Sequence, residues 1–325
     1  MTVEAQRPAW LTWTVRVVAA GGVAVVAWAC LTAGEAVAHG HPAYAVLLGL
    51  TVLGCALVLW RSVRPRPAHR GWRGVLDVVL VVAGIGWIAA MAWCRPYVAV
   101  EPALAAMVSD AEVTVTESAT RVELAPAENT DRNVDGTAVF FQPGAKVDAR
   151  AYAAVLRPLA EAGHPVVIAK QPLGIAFLAT GAFDGARAQL PDAERWVVGG
   201  HSLGGVVAST AADDGDPDGP EAGAAPVVGL LLYASYPAGD VSGSLTAEVE
   251  SISASRDGLS TPDDIEASRA NLPDDSSFTV VDGAAHAFFA DYGPQPGDGT
   301  PTISHDEART QISAVSRRFV DRLSP

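Results

Sequence analysis

Ser202 stands in the run Trp196-Val197-Val198-Gly199-Gly200-His201-Ser202-Leu203-Gly204-Gly205, where an apolar stretch ends in Gly-x-Ser-x-Gly. Such a stretch reads as a buried strand turning sharply into a helix, and the strained turn holds the serine oxygen clear of the backbone. Gly200 and Gly204 suit it, because a side chain would collide where strand and helix cross. The five-residue pattern is short, and its weight depends on partners. A serine hydroxyl needs a base to take its proton, and the base needs an orienting acid.

Two histidines follow Ser202 in the chain, His286 and His305. His286 comes just after the apolar run Phe278–Val281, in Asp282-Gly283-Ala284-Ala285-His286, where a loop can return it over a sheet. His305 lies in the Gly/Pro-rich approach to the last helix and reads as a neighbour of its cap. His286 is therefore the expected base. Asp257, directly after the run Glu248–Ala254, is the expected acid. Asp263 and Asp264 follow Pro262, where acids suit a first helical turn, and Asp282 stays open as an alternative. An oxyanion needs two backbone N–H donors. Leu203 supplies one, and the turn Gln142-Pro143-Gly144-Ala145-Lys146 the other. Pro143 has no N–H, which leaves Ala145 first and Gly144 next. Lys146 reads as a solvated surface lysine, with attraction of an anionic substrate as the other reading.

The elements that must position these residues alternate in type. Expected strands are Thr137–Phe141, Pro165–Ala169, Trp196–Gly200, Val227–Ala234, Glu248–Ala254 and Phe278–Val281. Between and after them come expected helices at Ala149–Ala162, Gly174–Ala188, Leu203–Ala212, Pro262–Ala270 and Asp306–Leu323. Almost unbroken apolar strands alternating with helices predict a doubly wound α/β fold, a mostly parallel sheet covered on both faces. Sites in such sheets lie beyond the carboxyl ends of the strands, where Ser202 falls. A plausible strand pair, Val113–Thr116 and Arg121–Leu124, precedes the turn Asn133-Val134-Asp135-Gly136.

Other chemistries find little support. No Gly-x-Gly-x-x-Gly or Walker pattern is present, so no nucleotide cofactor is expected. Cys30, Cys55 and Cys94 all precede the soluble part, which rules out a disulfide or thiol nucleophile there. His39 and His41 lack the further ligands of a metal centre. Asp214-Gly215-Asp216-Pro217-Asp218-Gly219 matches half of a calcium loop, but its twelfth position is Ala225, so it reads as a solvated acidic turn. No metal and no cofactor are expected.

At this point the chain resembles the α/β-hydrolase fold-5 family, relatives of the dienelactone hydrolases. The carrying residues are Val139-Phe140-Phe141-Gln142-Pro143-Gly144-Ala145-Lys146-Val147-Asp148 with Tyr152, then Gly200-His201-Ser202-Leu203-Gly204-Gly205, then His286-Ala287-Phe288-Phe289-Ala290-Asp291-Tyr292-Gly293. The resemblance covers roughly residues 137–320 and implies a hydrolase with Ser202, Asp257 and His286 as its triad. It does not imply a substrate. Dienelactone hydrolases have a Cys nucleophile where this chain has Ser202, so their reaction is not carried over. Only about a dozen residues separate the strands at Val227–Ala234 and Glu248–Ala254, leaving no room for a lid domain. An open cleft is expected.

The formal net charge of −14 over 325 residues divides sharply. Residues 1–95 carry eight Arg against three acids, a net of +5; residues 96–325 carry 14 Lys and Arg against 33 Asp and Glu, a net of −19. So acidic a domain repels nucleic acid, which is not expected as a partner. Val17–Gly34 and Ala43–Trp60 are uncharged runs of 18 residues, helices of about 27 Å against a hydrocarbon core of about 30 Å. Val75–Cys94 is a third, interrupted by Asp77, which reads as an interfacial carboxylate. The expected organisation is a membrane region at 1–95, an acidic linker with outer strands at 96–133 and the hydrolase domain at 134–325.

Arg61, Arg64, Arg66, Arg70 and Arg73 lie between the second and third runs, whereas the loop from Glu35 to Pro42 has no Lys or Arg. The positive-inside rule then places the Arg loop in the cytoplasm and the domain after Arg95 outside the plasma membrane. Arg7, Arg16 and Ala36-Val37-Ala38 also fit a cleavable signal peptide, which would leave two spans and the same outward placement. The expected partners are the lipid bilayer and a small-molecule or cell-envelope ester. Three functions stay open: ester or acyl-bond hydrolysis, acyl transfer to an envelope acceptor with the same triad, and an inactive hydrolase-like binding domain.

Overall fold

The computed structural model describes residues 8–64, 72–127, 136–214 and 225–324. The half calcium loop beyond Asp214, the turn residues 133–135 and much of the Arg-rich loop lie outside the described residues. The chain divides into two compact units, Met1–Pro96 and Tyr97–Pro325.

The first unit holds α1 (Ala9–His39), α2 (Pro42–Ser62) and α3 (Trp72–Trp93). α1 and α2 run past the uncharged stretches within them, because flanking residues such as Arg16 and Glu35 tolerate helix as well as the apolar ones do. All three contain segments long and apolar enough to cross a membrane. The turn from α1 to α2 needs Gly40, since a Cβ there would sit 2.5 Å from the Ala36 carbonyl oxygen. His41 then caps α2, its Nδ1 accepting from Ala43 N–H at 3.2 Å, and Pro42 starts the helix with its preset φ. Two side-chain hydrogen bonds join the helices: Trp87 Nε1 donates to Thr51 Oγ1 at 2.9 Å, and Tyr44 Oη to the Met91 carbonyl at 2.8 Å.

The second unit is built on an eight-stranded sheet: β1 (Val113–Glu117), β2 (Arg121–Pro126), β3 (Thr137–Gln142), β4 (Val166–Ala169), β5 (Arg195–His201), β6 (Val227–Tyr233), β7 (Glu248–Ala254) and β8 (Ser277–Val281). The order across the sheet is β1-β2-β4-β3-β5-β6-β7-β8. β1 is antiparallel to β2 and β2 to β4, whereas β4, β3, β5, β6, β7 and β8 run parallel to one another. Its helices are the short α4 (Ala103–Ala106), then α5 (Ala153–Ala162), α6 (Ala182–Gln189), α7 (Leu203–Asp214), α8 (Pro262–Ser268) and α9 (His305–Leu323).

Side chains alternate between the sheet faces with the two-residue period of a strand. Val139, Phe141, Val197, Leu231 and Ile252 join one core with Leu156 of α5 and Phe319 of α9. Their neighbours Phe140, Trp196, Val198, Leu230 and Leu232 join a second core with Phe183 of α6 and Ala208 of α7. The central strands are therefore buried on both sides, the arrangement their unbroken apolar runs require.

Within the stretch expected as an acidic linker with outer strands, Tyr97 bridges Val147, and Ala99 and Ala103 are buried. One expectation needs correction. The helix expected over Gly174–Ala188 begins only at Ala182. Its first half is held as 3-10 turns because Leu173 and Gly174 take φ of 56° and 66°, and Lys146 N–H donates to the Gly174 carbonyl at 2.7 Å. A left-handed backbone at two successive residues cannot continue an α-helix.

Candidate active site

Ser202 occupies the one-residue turn between β5 and α7 with a φ of 52°, a left-handed conformation that side chains rarely adopt. The surroundings enforce it. A Cβ on Gly200 would strike the Gly204 backbone, and one on Gly204 would strike the carbonyls of Gln142 and Pro143. Ser202 N–H donates to the Tyr233 carbonyl at 3.0 Å, and Ser235 Oγ donates to the Ser202 carbonyl at 2.7 Å. The strain is thus paid by packing and hydrogen bonds on both sides, and the side chain stays half-buried and reachable.

The loops after β7 and β8 bring Asp257 and His286 together although they lie 29 residues apart in sequence. Asp257 Oδ2 is 2.8 Å from His286 Nδ1, with both side chains shielded from solvent. The other oxygen, Oδ1, accepts from the N–H groups of Leu259 and Ser260 at 2.7 and 2.8 Å. A carboxylate so held fixes the ring with Nε2 directed away from it.

The alternative residues are otherwise engaged. Asp264 forms a capping box with Thr261 at the start of α8, and Asp263 lies in the same first turn. Asp282 accepts from Ser255 Oγ at 2.7 Å on the surface. His305 is the first residue of α9 and stacks on Phe288, ring centroids 4.5 Å apart.

The turn after β3 lies against the start of α7, as the contacts of Gly204 require. Gly144 N–H donates to Tyr152 Oη at 2.8 Å and so is occupied. Ala145 N–H and Leu203 N–H have no hydrogen-bond acceptor among the described residues. These are two free donors, one on each side of the contact between turn and helix, as oxyanion stabilisation requires. Lys146 has its backbone tied to Gly174 and its ammonium 5.4 Å from the Tyr97 ring centroid.

Three residues near this site have positions that sequence reasoning did not anticipate. Asp298 accepts from the backbone N–H groups of Gly258, His286, Ala287 and Gly299 at 3.2, 3.0, 2.9 and 2.7 Å. It ties the Asp257 loop to the His286 loop. Its only sequence signal is a place in the turn Gln295-Pro296-Gly297-Asp298-Gly299. Tyr152 and His201 are the other two, both buried, with Tyr152 Oη 2.8 Å from His201 Nδ1. Behind the site, Asp291 pairs with Arg309 at 2.6 Å; burial pushes its carboxyl up to about 6 although Arg309 opposes the shift. No group of three metal-ligating side chains occurs among the described residues.

A doubly wound sheet with a serine at the strand–helix elbow, an Asp–His pair on later loops and a turn after β3 against the elbow helix matches one family. The family model for alpha/beta hydrolases covers residues 138–310, and the chain belongs to that family. Solved structures resembling it include one described as a dienelactone hydrolase from Klebsiella pneumoniae, with 14% identity over 65% of this chain and 98% of that one, at a TM-score of 0.47. Another is a thermophilic esterase from Thermogutta terrifontis, with 16% identity over 66% of this chain and 92% of that one, at a TM-score of 0.43. Among the curated proteins compared, none matches.

Proposed function

We propose that this protein is a serine hydrolase of esters or related acyl bonds, held in the plasma membrane by its N-terminal helices with the catalytic domain on the extracytoplasmic side. The observation that carries the reading is the shielded Asp257–His286 pair at 2.8 Å, with the His286 ring centroid 4.6 Å from that of His201, the residue bonded to the strained Ser202. His286 Nε2 takes the Ser202 proton as Oγ attacks the acyl carbon. The negative oxygen then rests against the N–H groups of Leu203 and Ala145. The leaving alcohol departs with the proton from His286, and the acyl group stays on Ser202. Water, deprotonated by the same imidazole, releases the acid and restores the serine. Asp257 keeps the Nδ1 proton in place and stabilises the imidazolium formed in each half.

No helix stands between β6 and β7, so no lid domain is inserted there. The reading therefore includes a modest or flexible acyl group. The outward placement rests on the arginines between the second and third apolar helices and their absence from the first loop. Hydrolysis of p-nitrophenyl acetate and butyrate by the detergent-solubilised full chain tests the activity. Turnover that vanishes in Ser202→Ala is expected, and equal turnover by both proteins would refute it. Protease treatment of intact cells tests the placement: digestion of the domain is expected, and protection would overturn it.

A further inference from the structure

We infer that Tyr152 and His201 are positioning residues that set the oxyanion turn; the inference rests on the serine-hydrolase reading. Tyr152 Oη accepts from Gly144 N–H at 2.8 Å and lies 2.8 Å from His201 Nδ1. The Oη lone pair facing Gly144 is used, so the hydroxyl proton goes to Nδ1. That leaves a single unpaired polar group, Nε2 of His201, which has no acceptor in hydrogen-bond geometry among the described residues. The opposite assignment, with Nδ1 donating, would leave both the Tyr152 proton and Nε2 unpaired in a buried place, which is costlier.

The trio is uncharged. Burial raises the Tyr152 hydroxyl far above its ordinary range, and burial together with the adjacent His286 holds His201 well below its own. Its parts touch everything that has to be aligned. Gly144 is the neighbour of Ala145, whose N–H is free. His201 is bonded to Ser202, and its ring centroid lies 4.6 Å from that of His286 and 5.7 Å from that of Phe289. The fit is close enough to demand glycine, since a Cβ at Gly144 would sit 2.8 Å from His201 Nδ1 and 3.2 Å from Tyr152 Oη. The Tyr152 hydroxyl thus fixes the turn relative to the serine and the base, and through it the direction of the Ala145 N–H.

The test compares Tyr152→Phe with wild type in the solubilised full chain. The phenyl ring keeps its packing on Phe141 and loses only the hydroxyl. Removing an oxyanion donor outright costs about 100- to 1,000-fold in kcat; a misdirected donor is expected to cost about 10- to 100-fold, with KM changed by less than about twofold. The rate of phosphonylation by a fluorophosphonate should fall by the same factor, because the phosphoryl oxygen occupies the same hole. His201→Asn keeps an acceptor in the place of Nδ1 and should retain most activity. His201→Leu should lose as much as Tyr152→Phe, and the double variant no more than either. A purely structural role would lower the melting temperature and leave kcat and the labelling rate at wild-type values, which would overturn the inference. Losses that multiply in the double variant would do so too. If wild type itself is not labelled, the serine-hydrolase reading fails and the inference with it; a labelled wild type beside an undiminished Tyr152→Phe removes the inference alone.

Discussion

Asp257 Oδ2 lies 2.8 Å from His286 Nδ1, and the backbone of Leu259 and Ser260 fills the other oxygen of the same carboxylate. An amide in its place would still accept those backbone bonds yet would present its NH₂ to Nδ1, forcing the wrong tautomer. Asp257→Asn is therefore expected to lower kcat by about 10⁴-fold with little change in KM, by analogy with other triad acids. Steady-state kinetics with p-nitrophenyl butyrate measures it. Loss confined to KM would remove Asp257 from the role.

Asp264 serves the fold of α8 through its capping box with Thr261. Asp264→Ala should cost about 1 kcal/mol of stability, read by chemical denaturation, and leave kcat within about twofold. A drop in kcat as large as that of Asp257→Asn would show the acid to have been misassigned.

Asp298 collects four backbone N–H groups from two loops. Asp298→Ala orphans all of them and should destabilise the domain by about 2 kcal/mol or more, since each charged acceptor lost contributes at least 1. Because His286 hangs from that clamp, kcat should also fall, by about tenfold or more, at temperatures where the variant remains folded. A variant with a lowered melting temperature and wild-type kcat would limit Asp298 to stability.

Asp291 gives a pH dependence with a definite sign. Its folded carboxyl is raised to about 6 from 3.8, so folding favours the protonated form. The stability this contributes is fully present below about pH 3.8 and is lost as pH rises through about 6. Asp291→Asn carries a permanently neutral group. Wild type should therefore lose stability relative to Asp291→Asn between pH 4 and 7, as roughly bounded by these values. Melting temperatures of both across that range would show it, and a difference independent of pH would contradict it.

Much of this architecture is legible in the chain. Residues Trp196 to Gly200 are apolar on both faces because both faces of β5 are covered, and that alone places Ser202 at the end of a central strand. Asp257 and His286 are found the same way, each on the loop after an apolar run. What escapes is whatever depends on one loop meeting another. Asp298 lies 40 residues from Gly258, in a Gly- and Pro-rich stretch without periodicity, and acquires its partners only when the loops close. His201 fills a free position of its motif, and Tyr152 sits among apolar helix formers, so neither announces a hydrogen bond across 49 residues. The short α6 is a third case: local pattern favours an earlier start, but the tie between Lys146 and Gly174 bends the backbone out of helix first.

The central claim is that Ser202 is a nucleophile activated by His286. The most direct measurement is incubation of the solubilised protein with a fluorophosphonate, followed by peptide mass spectrometry to locate the adduct. A single adduct on Ser202, absent from Ser202→Ala and strongly slowed in His286→Ala, is the predicted result. An unlabelled wild type, or an adduct that persists in Ser202→Ala, would contradict the account.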